Sequence, residues 1–201
     1  MRTIQTTAKH LIALLSLAFI ISIACAQETK VQLPERKQTT LGLYVTSAEA
    51  YEMWESDPEK VTILDIRTPE EYLFIGHAAM AWNIPAFTQS YEWDAEKQRF
   101  PMKPIPDFVA KMKEVFQADD IILITCRSGD RSAIAVNELA KAGFTKAYTI
   151  TDGFEGNILN DPESVFNGLR MVNGWKNCGL PYTYKIDPNK MLLPEEKQTS
   201  K

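Results

Sequence analysis

One short loop holds the residue types best suited to chemistry, namely Cys126, Arg127, Ser128, Gly129, Asp130 and Arg131. The continuous apolar run Ile121 to Thr125 before this loop is typical of a buried parallel strand. After the loop, apolar residues recur at helical spacing from Ser132 to Ala142, and Gly143 marks the helix end. The thiol of Cys126 is therefore predicted to lie between the carboxyl end of a strand and the amino end of a helix.

This position favours the ionised form of the thiol. The first N–H groups of a helix point at such a sulfur, and the helix dipole favours negative charge there. Arg127 and Arg131 add positive charge, while Gly129 lets successive N–H groups face one centre. Asp130 opposes this effect unless it points outward or pairs with one of the arginines. We predict a nucleophilic Cys126, because two arginines are poor neighbours for an inert buried cysteine.

A loop that stabilises a thiolate also suits a small anionic sulfur donor such as thiosulfate. The thiolate would attack the outer sulfur of the donor, sulfite would leave, and a persulfide would remain on Cys126. A second nucleophile would then take the sulfur in a second displacement. This acceptor is cyanide or a thiol, and the thiol can belong to a protein. An already ionised cysteine needs no histidine as a base.

Strands and helices alternate along the rest of the chain. Helices are predicted over Val45–Trp54 and Pro106–Phe116, a helix start at Pro69–Tyr72, and strands at Val61–Ile66 and Ala147–Ile150. This alternation is typical of an α/β fold with a parallel sheet. The active site is then expected at the carboxyl ends of the strands.

The composition is that of an ordinary globular domain. Of the 201 residues, 45% are hydrophobic and 24% are charged, which argues against disorder and against a membrane-spanning bundle. The formal net charge of −4 gives no reason to expect a nucleic-acid partner. Two histidines and three scattered cysteines lack the spacing of metal ligands, and no Gly-rich nucleotide loop is present. No metal and no cofactor are predicted.

The first residues have the pattern of a secretory signal peptide, predicted over residues 1–26. A mildly basic start precedes an apolar run from Leu11 to Ala24, which is short for a bilayer span of about 20 residues. Small residues follow, so we expect a periplasmic or otherwise exported protein. In a second interpretation Cys25 is lipidated and anchors the chain to a membrane. Residues 27–40 are predicted to form a polar tether, residues 41–185 the domain, and residues 186–201 a C-terminal tail.

Three motifs in order resemble the rhodanese family of sulfurtransferases. The loop that begins at Cys126 resembles the six-residue active-site loop of that family. The other two motifs are Leu64–Tyr72 with Gly76, His77 and Ala81–Pro85, and Asp152–Phe154 with Trp175 and Gly179–Pro181. This resemblance covers about residues 40 to 183. It implies a rhodanese-like α/β fold, with a central parallel sheet flanked by helices on both faces, and a persulfide on Cys126 with residues 127–131 around the substrate.

The resemblance also bears on side chains that could be mistaken for catalytic groups. It implies that Asp65 and Arg67 are mainly structural, with Arg67 near the rim of the pocket, and that His77 makes a structural hydrogen bond. Cys178 is expected to pack between hydrophobic neighbours. Alternatively it reaches Cys126, which would shift the function towards thiol redox chemistry.

Several positions depart from the family pattern. Ala78, Met80 and Asp152 replace the usual residues, and the segments Phe87–Pro104 and Asn157–Asn173 resemble insertions. The first of these segments is rich in aromatic residues, namely Tyr91, Trp93 and Phe100. These rings either wall the site or pack the segment against the surface.

Other functions fit this sequence less well than sulfur transfer. Phosphatases and arsenate reductases use a similar loop with one more residue between the cysteine and the arginine, whereas four residues separate Cys126 from Arg131 here. A binding module would be expected to lack the cysteine. A periplasmic sulfur carrier or thiol-redox partner, without efficient thiosulfate turnover, would use the same persulfide with a protein acceptor and stays open as an alternative.

Overall fold

A computed structural model describes residues 33–192 of the chain. Five parallel strands form its central sheet, in the spatial order β1, β8, β7, β2, β4. Their bounds are β1 Tyr44–Val45, β2 Val61–Asp65, β4 Trp82–Asn83, β7 Ile121–Thr125 and β8 Ala147–Ile150. The predicted strands 121–125 and 147–150 are thus confirmed, and the strand predicted over 61–66 is present but ends one residue earlier, at Asp65.

Four helices cover the two faces of this sheet. They are α1 Ser47–Ser56, α2 Pro69–Phe74, α3 Phe108–Val115 and α4 Asp130–Lys141. Side chains of α3 and α4 share one hydrophobic cluster with Ile122 and Ile124, whereas side chains of α1 and α2 share a second cluster with Leu123. Alternate residues of β7 therefore enter opposite clusters, as the pleat of a strand requires. The predicted α/β architecture, with helices on both faces, is confirmed.

Two capping boxes fix where the first helices begin. Thr46 caps α1 together with Glu49, and Thr68 caps α2 together with Glu71, so each pair satisfies N–H groups that a helix start leaves free. The helix predicted to begin at Val45 therefore begins at Ser47. The helix predicted from Ser132 begins two residues earlier, at Asp130, because Gly129 takes a left-handed conformation and turns the chain directly into it.

Both segments that resemble insertions contain small antiparallel sheets. The first holds β5 (Phe87–Gln89) paired with β6 (Met102–Pro104), and the second holds β9 (Asn157–Ile158) paired with β10 (Arg170–Val172). A third pair joins β3 (His77–Ala78) to β11 (Tyr182–Thr183).

Two of the aromatic side chains of the first segment pack on each other. The rings of Trp93 and Phe100 meet edge to face with their centroids 5.1 Å apart, while Tyr91 is 89% exposed. The Trp93–Phe100 contact supports the interpretation that these rings hold the segment together. It does not make them a wall of the site.

Both predicted boundaries of the domain need correction. The polar segment predicted to be a tether over 27–40 is wrong from residue 34 onward, because Pro34 begins the compact unit and Lys37 is buried in it. The predicted tail over 186–201 contains a 3-10 turn at Pro188–Lys190, and Met191 then forms a parallel bridge with Asn83 at the sheet edge. The predicted signal peptide, Cys25 and the end of the tail lie outside the described residues.

Candidate active site

The candidate nucleophile lies where the sequence predicted it. Cys126 follows β7 directly and is 1% exposed. The N–H of Gly129, the residue before α4, donates a hydrogen bond to Cys126 Sγ over 3.2 Å. A backbone donor and the start of a helix therefore meet at the sulfur, which is the arrangement that stabilises negative charge there.

A second segment holds the backbone of this loop from behind. The N–H of Phe154 donates to the Cys126 carbonyl over 2.8 Å, and the N–H of Glu155 donates to the Arg127 carbonyl over 2.9 Å. Gly153 fits against the loop so closely that a Cβ atom there would lie 2.6 Å from the Ser128 nitrogen. The loop carbonyls are thus engaged with residues 154 and 155.

Arg131 is not a free charge beside Cys126. Its guanidinium makes two hydrogen bonds to the Glu71 carboxylate, over 2.7 and 2.6 Å, and so joins α4 to α2. Burial alone would raise the pKa of Glu71. The bonds and charge of Arg131, the Thr68 N–H and the Arg67 charge outweigh burial and hold that pKa below its usual value. The role of Arg131 in this structure is therefore to fix the loop and its helix.

Asp130 is neutralised by a residue that lies far away in the sequence. Arg36 Nε donates to Asp130 Oδ2 over 3.0 Å, and both side chains are partly exposed. The sequence left open whether Asp130 points outward or pairs with a loop arginine. The structure shows instead that its partner comes from the N-terminal segment.

Lys37, the next residue, lies beneath the same loop. It is 4% exposed, and its Nζ donates to the Thr151 carbonyl over 2.8 Å and to Asn157 Oδ1 over 3.2 Å. Burial lowers the pKa of Lys37, while the charges of Asp130, Cys126 and Asp152 raise it. Sequence reasoning missed Lys37 because nothing in a polar segment signals a contact more than 100 residues away.

The remaining loop side chains face outward. Arg127 is exposed, and no hydrogen bond or ion pair joins its guanidinium to another residue between 33 and 192. Ser128 is half-buried. Arg127 is therefore the member of the predicted loop whose charge is available to an approaching anion.

Comparison with known proteins identifies the family. Residues 46–157, more than half of the chain, match the model of the rhodanese-like domain. The chain belongs to the rhodanese-like family. This match contains the whole Cys126 loop and the segment that holds it from behind.

Several relatives extend this match. Thiosulfate sulfurtransferase 16 of Arabidopsis thaliana is 36% identical over 91 residues, which cover 45% of this chain and 68% of that protein. Senescence-associated protein DIN1 of Raphanus sativus is 32% identical over 144 residues, which cover 67% and 73%. The crystal structure of Rv0390 from M. tuberculosis has a TM-score of 0.54 at 26% identity and covers 71% of this chain and 97% of its own. The rhodanese-like family to which the chain belongs thus includes sulfurtransferases.

In this rhodanese-like domain Arg67 is not at a pocket rim. Its side chain is fully buried, pairs with Asp65 over 2.6 Å, donates to the Gly76 carbonyl over 2.7 Å and lies 4.3 Å above the Phe154 ring. The rim prediction is wrong, because a guanidinium with these contacts has no solvent-facing surface. The pair instead ties β2 to the segment that ends α2.

His77 also makes a local contact within the rhodanese-like fold. Its Nδ1–H donates to the Tyr72 carbonyl over 3.0 Å, and its ring stacks on the Tyr72 ring at 3.5 Å. Burial lowers the pKa of His77, against the opposing effect of its backbone hydrogen bonds. These contacts agree with the structural hydrogen bond that the resemblance implied.

Cys178 and the other possible ligands add no second centre. Cys126 and Cys178 are both free thiols, and Cys178 is exposed, so the prediction that it packs among hydrophobic neighbours is wrong. Within residues 33–192 no group of His, Cys, Asp or Glu side chains is arranged to hold a metal ion. In the same range no helix has the length and apolar character needed to cross a membrane.

Proposed function

We propose that this protein is a sulfurtransferase that moves sulfane sulfur from thiosulfate or a similar donor to a thiophilic acceptor through a persulfide on Cys126. The observation that carries the proposal is the hydrogen bond from the Gly129 N–H to Cys126 Sγ at the start of α4. Membership in a family with sulfurtransferases supports it.

The reaction divides into two displacements at sulfur. The Cys126 thiolate attacks the outer sulfur of thiosulfate, the S–S bond of the donor breaks, and sulfite leaves with the bonding electron pair. A cyanide ion or a thiolate then attacks the outer sulfur of the persulfide, and the Cys126 thiolate leaves. Each step conserves charge and needs no external oxidant or reductant, and the pair of steps predicts ping-pong kinetics.

The loop residues have separate roles in this proposal. The N–H groups at the start of α4 stabilise the Cys126 thiolate and, after the first step, the outer sulfur of the persulfide. Arg127 attracts the anionic donor, since its guanidinium is exposed and unpaired within the described chain. The near-complete burial of Cys126 favours a small donor, because a small ion reaches a recessed sulfur more easily than a bulky one does.

Export is a separate proposal that rests on the sequence of residues 1–26 alone. We propose that the chain acts outside the cytoplasm, either as a mature protein that begins after Ala26 or as a lipoprotein anchored through Cys25. Mass spectrometry of the N-terminus from a cell fraction distinguishes cleavage after Ala26, lipidation of Cys25 and retention of Met1.

The test of sulfur transfer compares the two described cysteines. Thiocyanate release from thiosulfate and cyanide is measured for the wild type, Cys126→Ser and the matched control Cys178→Ser, and intact mass is recorded after thiosulfate alone. We expect the wild type and Cys178→Ser to turn over and to gain one sulfur atom, whereas Cys126→Ser does neither.

Other outcomes have defined meanings. A persulfide mass without turnover identifies a sulfur carrier with a protein acceptor in place of the proposed activity. Loss of activity in both cysteine variants points to a redox function of the two thiols. If reduced wild-type protein neither gains sulfur nor turns over with thiosulfate or with an alkyl persulfide, sulfur transfer is not its function.

A further inference from the structure

A charged residue of the second antiparallel segment lies beside the active-site loop. Arg170, the first residue of β10, donates from Nη1 to the Gly156 carbonyl over 2.6 Å. Gly156 is only two residues from Phe154, whose N–H is bonded to the Cys126 carbonyl. The two ends of the segment are also joined, because the N–H and the side-chain amide of Asn157 both donate to Asn173 Oδ1. The Arg170 guanidinium is thus fixed beside the segment that holds the Cys126 loop.

Most of the cations around the loop are already neutralised by carboxylates. Arg131 is paired with Glu71, Arg36 with Asp130, and Arg67 with Asp65. Arg127 and Arg170 differ from these three, since neither makes an ion pair with a carboxylate in the described part of the chain. Two guanidinium groups beside the Cys126 loop therefore have no carboxylate partner among residues 33–192.

The two arginines are bound to adjacent residues, since the Arg127 carbonyl accepts from the Glu155 N–H over 2.9 Å and Arg170 donates to the carbonyl of Gly156. Burial and the charge of Arg127 lower the pKa of Arg170, whereas Glu155, Asp130 and Cys126 raise it. Two like charges held together repel, and an anion placed between them removes the repulsion and gains two charge-assisted hydrogen bonds. The arrangement favours the binding of an anion by both guanidinium groups.

We propose that Arg127 and Arg170 together form an anion-binding site beside the Cys126 thiol, which holds the oxyanion group of the sulfur donor. The proposal rests on the proposed function for the identity of the ligand, which is the sulfonate end of thiosulfate or of a related thiosulfonate. Arg127 comes from the active-site loop, and Arg170 comes from the segment 157–173 that resembles an insertion. That segment thereby determines which donors the protein accepts.

The same site would act on the first chemical step. When the donor S–S bond breaks, the departing sulfite gains the electron pair and an additional full charge. Two guanidinium groups at that position stabilise the developing charge as well as the bound donor. A donor with two negative charges should depend on this site more strongly than a donor with one.

Binding provides a test that does not require turnover. Thiosulfate is titrated by calorimetry into Cys126→Ser protein and into the same protein with Arg170→Gln, Arg170→Lys or the control Arg99→Gln. Arg99 is exposed in the first antiparallel segment, so Arg99→Gln removes an equal charge from a different part of the surface. We expect Arg170→Gln to weaken thiosulfate binding about tenfold, as loss of a charged hydrogen bond does, and Arg99→Gln to stay within about twofold of the parent. Arg170→Lys keeps the charge but not the guanidinium geometry, so its loss should be smaller than that of Arg170→Gln.

The outcomes separate this proposal from the proposed function. Equal thiosulfate affinity in the Arg170→Gln and Arg99→Gln proteins overturns the anion site, even when wild-type protein transfers sulfur normally. Absence of thiosulfate binding to the parent protein overturns it too. Weaker binding in Arg170→Gln alone supports the site, even when no acceptor yields turnover. Unfolding temperatures of all variants, compared in buffer without thiosulfate, reveal any loss of folding, and Arg170→Lys then decides, because it keeps the charge and a donor to Gly156.

Kinetics with two donors give a second, independent measurement. Thiosulfate carries two negative charges, whereas methanethiosulfonate has the same sulfonyl sulfur with one. We expect Arg170→Gln to lower kcat/KM for thiosulfate by about tenfold and for methanethiosulfonate by about threefold or less. Equal losses for both donors would assign Arg170 to loop structure and overturn its role in binding the donor charge.

Discussion

Three ion pairs surround the active-site loop at three depths. Arg67 and Asp65 are completely buried, Arg131 and Glu71 are largely buried, and Arg36 and Asp130 are exposed. An exposed pair contributes less than about 1 kcal/mol, whereas breaking a buried pair leaves an uncompensated charge in the interior. The pair between Arg131 and Glu71 is the most informative to test, because it joins two helices and because the pKa of Glu71 is lowered.

Replacement of Glu71 by glutamine should change how folding stability depends on pH. The folded pKa of Glu71 lies below the ordinary value of 4.5, so its carboxylate stabilises the fold fully above about pH 4.5, and the contribution is lost as the pH falls through the folded pKa. We expect Glu71→Gln to lower the free energy of unfolding by about 1–3 kcal/mol at pH 7 and to flatten the decline below pH 4.5. Urea denaturation from pH 3 to pH 7 measures both effects.

Glu70 supplies the matched control for this measurement. It is the exposed neighbour of Glu71 in the first turn of α2. Glu70→Gln should leave the pH profile of the wild type nearly unchanged. Identical profiles for the two variants would show that the bidentate contact between Glu71 and Arg131 has no role in stability.

Lys37 should matter more than its neighbour Arg36. Lys37→Met keeps an apolar side chain of similar length but leaves the Thr151 carbonyl without its donor, so we expect a loss of about 1–3 kcal/mol in the free energy of unfolding. Arg36→Gln breaks only the exposed pair with Asp130 and should cost less than about 1 kcal/mol. Chemical denaturation at pH 7 tests this order, and a larger loss for Arg36→Gln would contradict the burial of Lys37.

For single residues, the sequence predicted those positions that depend on neighbouring residues in the chain. Cys126, Gly129 and Arg127 could be placed correctly because a strand, a glycine and a helix follow one another without interruption. Lys37 and Arg170 could not, since each reaches the loop by a contact across the fold, and a single sequence carries no periodic signal of such a contact.

Among the elements, the active-site loop and residues 151–155 make a close backbone contact. Gly129 and Gly153 both have positive φ and face backbone atoms of the other segment, where a Cβ would overlap the Thr151 carbonyl or lie 2.7 Å from the Cys126 carbonyl. Two stretches of backbone approach this closely only if both positions lack a side chain. The shape of the nucleophile loop therefore depends on a segment about 25 residues later.

Alanine at position 153 should separate crowding from backbone strain. Gly143 also has positive φ, but a Cβ there meets nothing within 4 Å, so Gly143→Ala bears only the cost of the left-handed conformation, about 1–2 kcal/mol. Gly153→Ala should lose about 1–3 kcal/mol more, because its Cβ forces the loop apart. Thermal unfolding and persulfide formation should both fall in Gly153→Ala, and persulfide formation should persist in Gly143→Ala. Equal behaviour would rule out the close contact.

The long elements were more predictable than the short ones. Five-residue stretches rich in aliphatic side chains predict β2 and β7, and an apolar stripe at helical spacing predicts α4. The strands β5, β6, β9 and β10 have two or three residues each, which is too short for an alternating pattern to stand out. Helix starts were displaced by about two residues where a cap or a left-handed glycine set the boundary.

Across the whole molecule, the stable unit is longer than the motifs suggest. Residues 34–40 pack on the loop and α4, and Leu192 donates its N–H to the Asn83 carbonyl at the far edge of the sheet. Polar composition concealed the first contact, since a lysine that buries its amine looks in the sequence like any solvated lysine. The contact between Leu192 and Asn83 is a single bridge, which produces no recognisable sequence pattern.

A comparison of two fragments tests these limits. Residues 34–192 should unfold at a temperature about 5 °C or more above that of residues 41–185, because the shorter fragment loses the buried Lys37 contacts and the bridge at Asn83. Differential scanning calorimetry at neutral pH provides the measurement. Equal transition temperatures would restore the narrower domain limits that the sequence predicted.

The contact of Lys37 with Thr151 also has a practical consequence for protein engineering. Thr151 follows β8 on one side of the sheet, whereas Leu192 reaches β4 at the opposite edge. A purification handle or fluorophore joined at Pro34 would begin two residues from Arg36, which contacts Asp130 of the active-site loop. The same label joined at Leu192 would lie at β4, the edge strand at the other end of the sheet order.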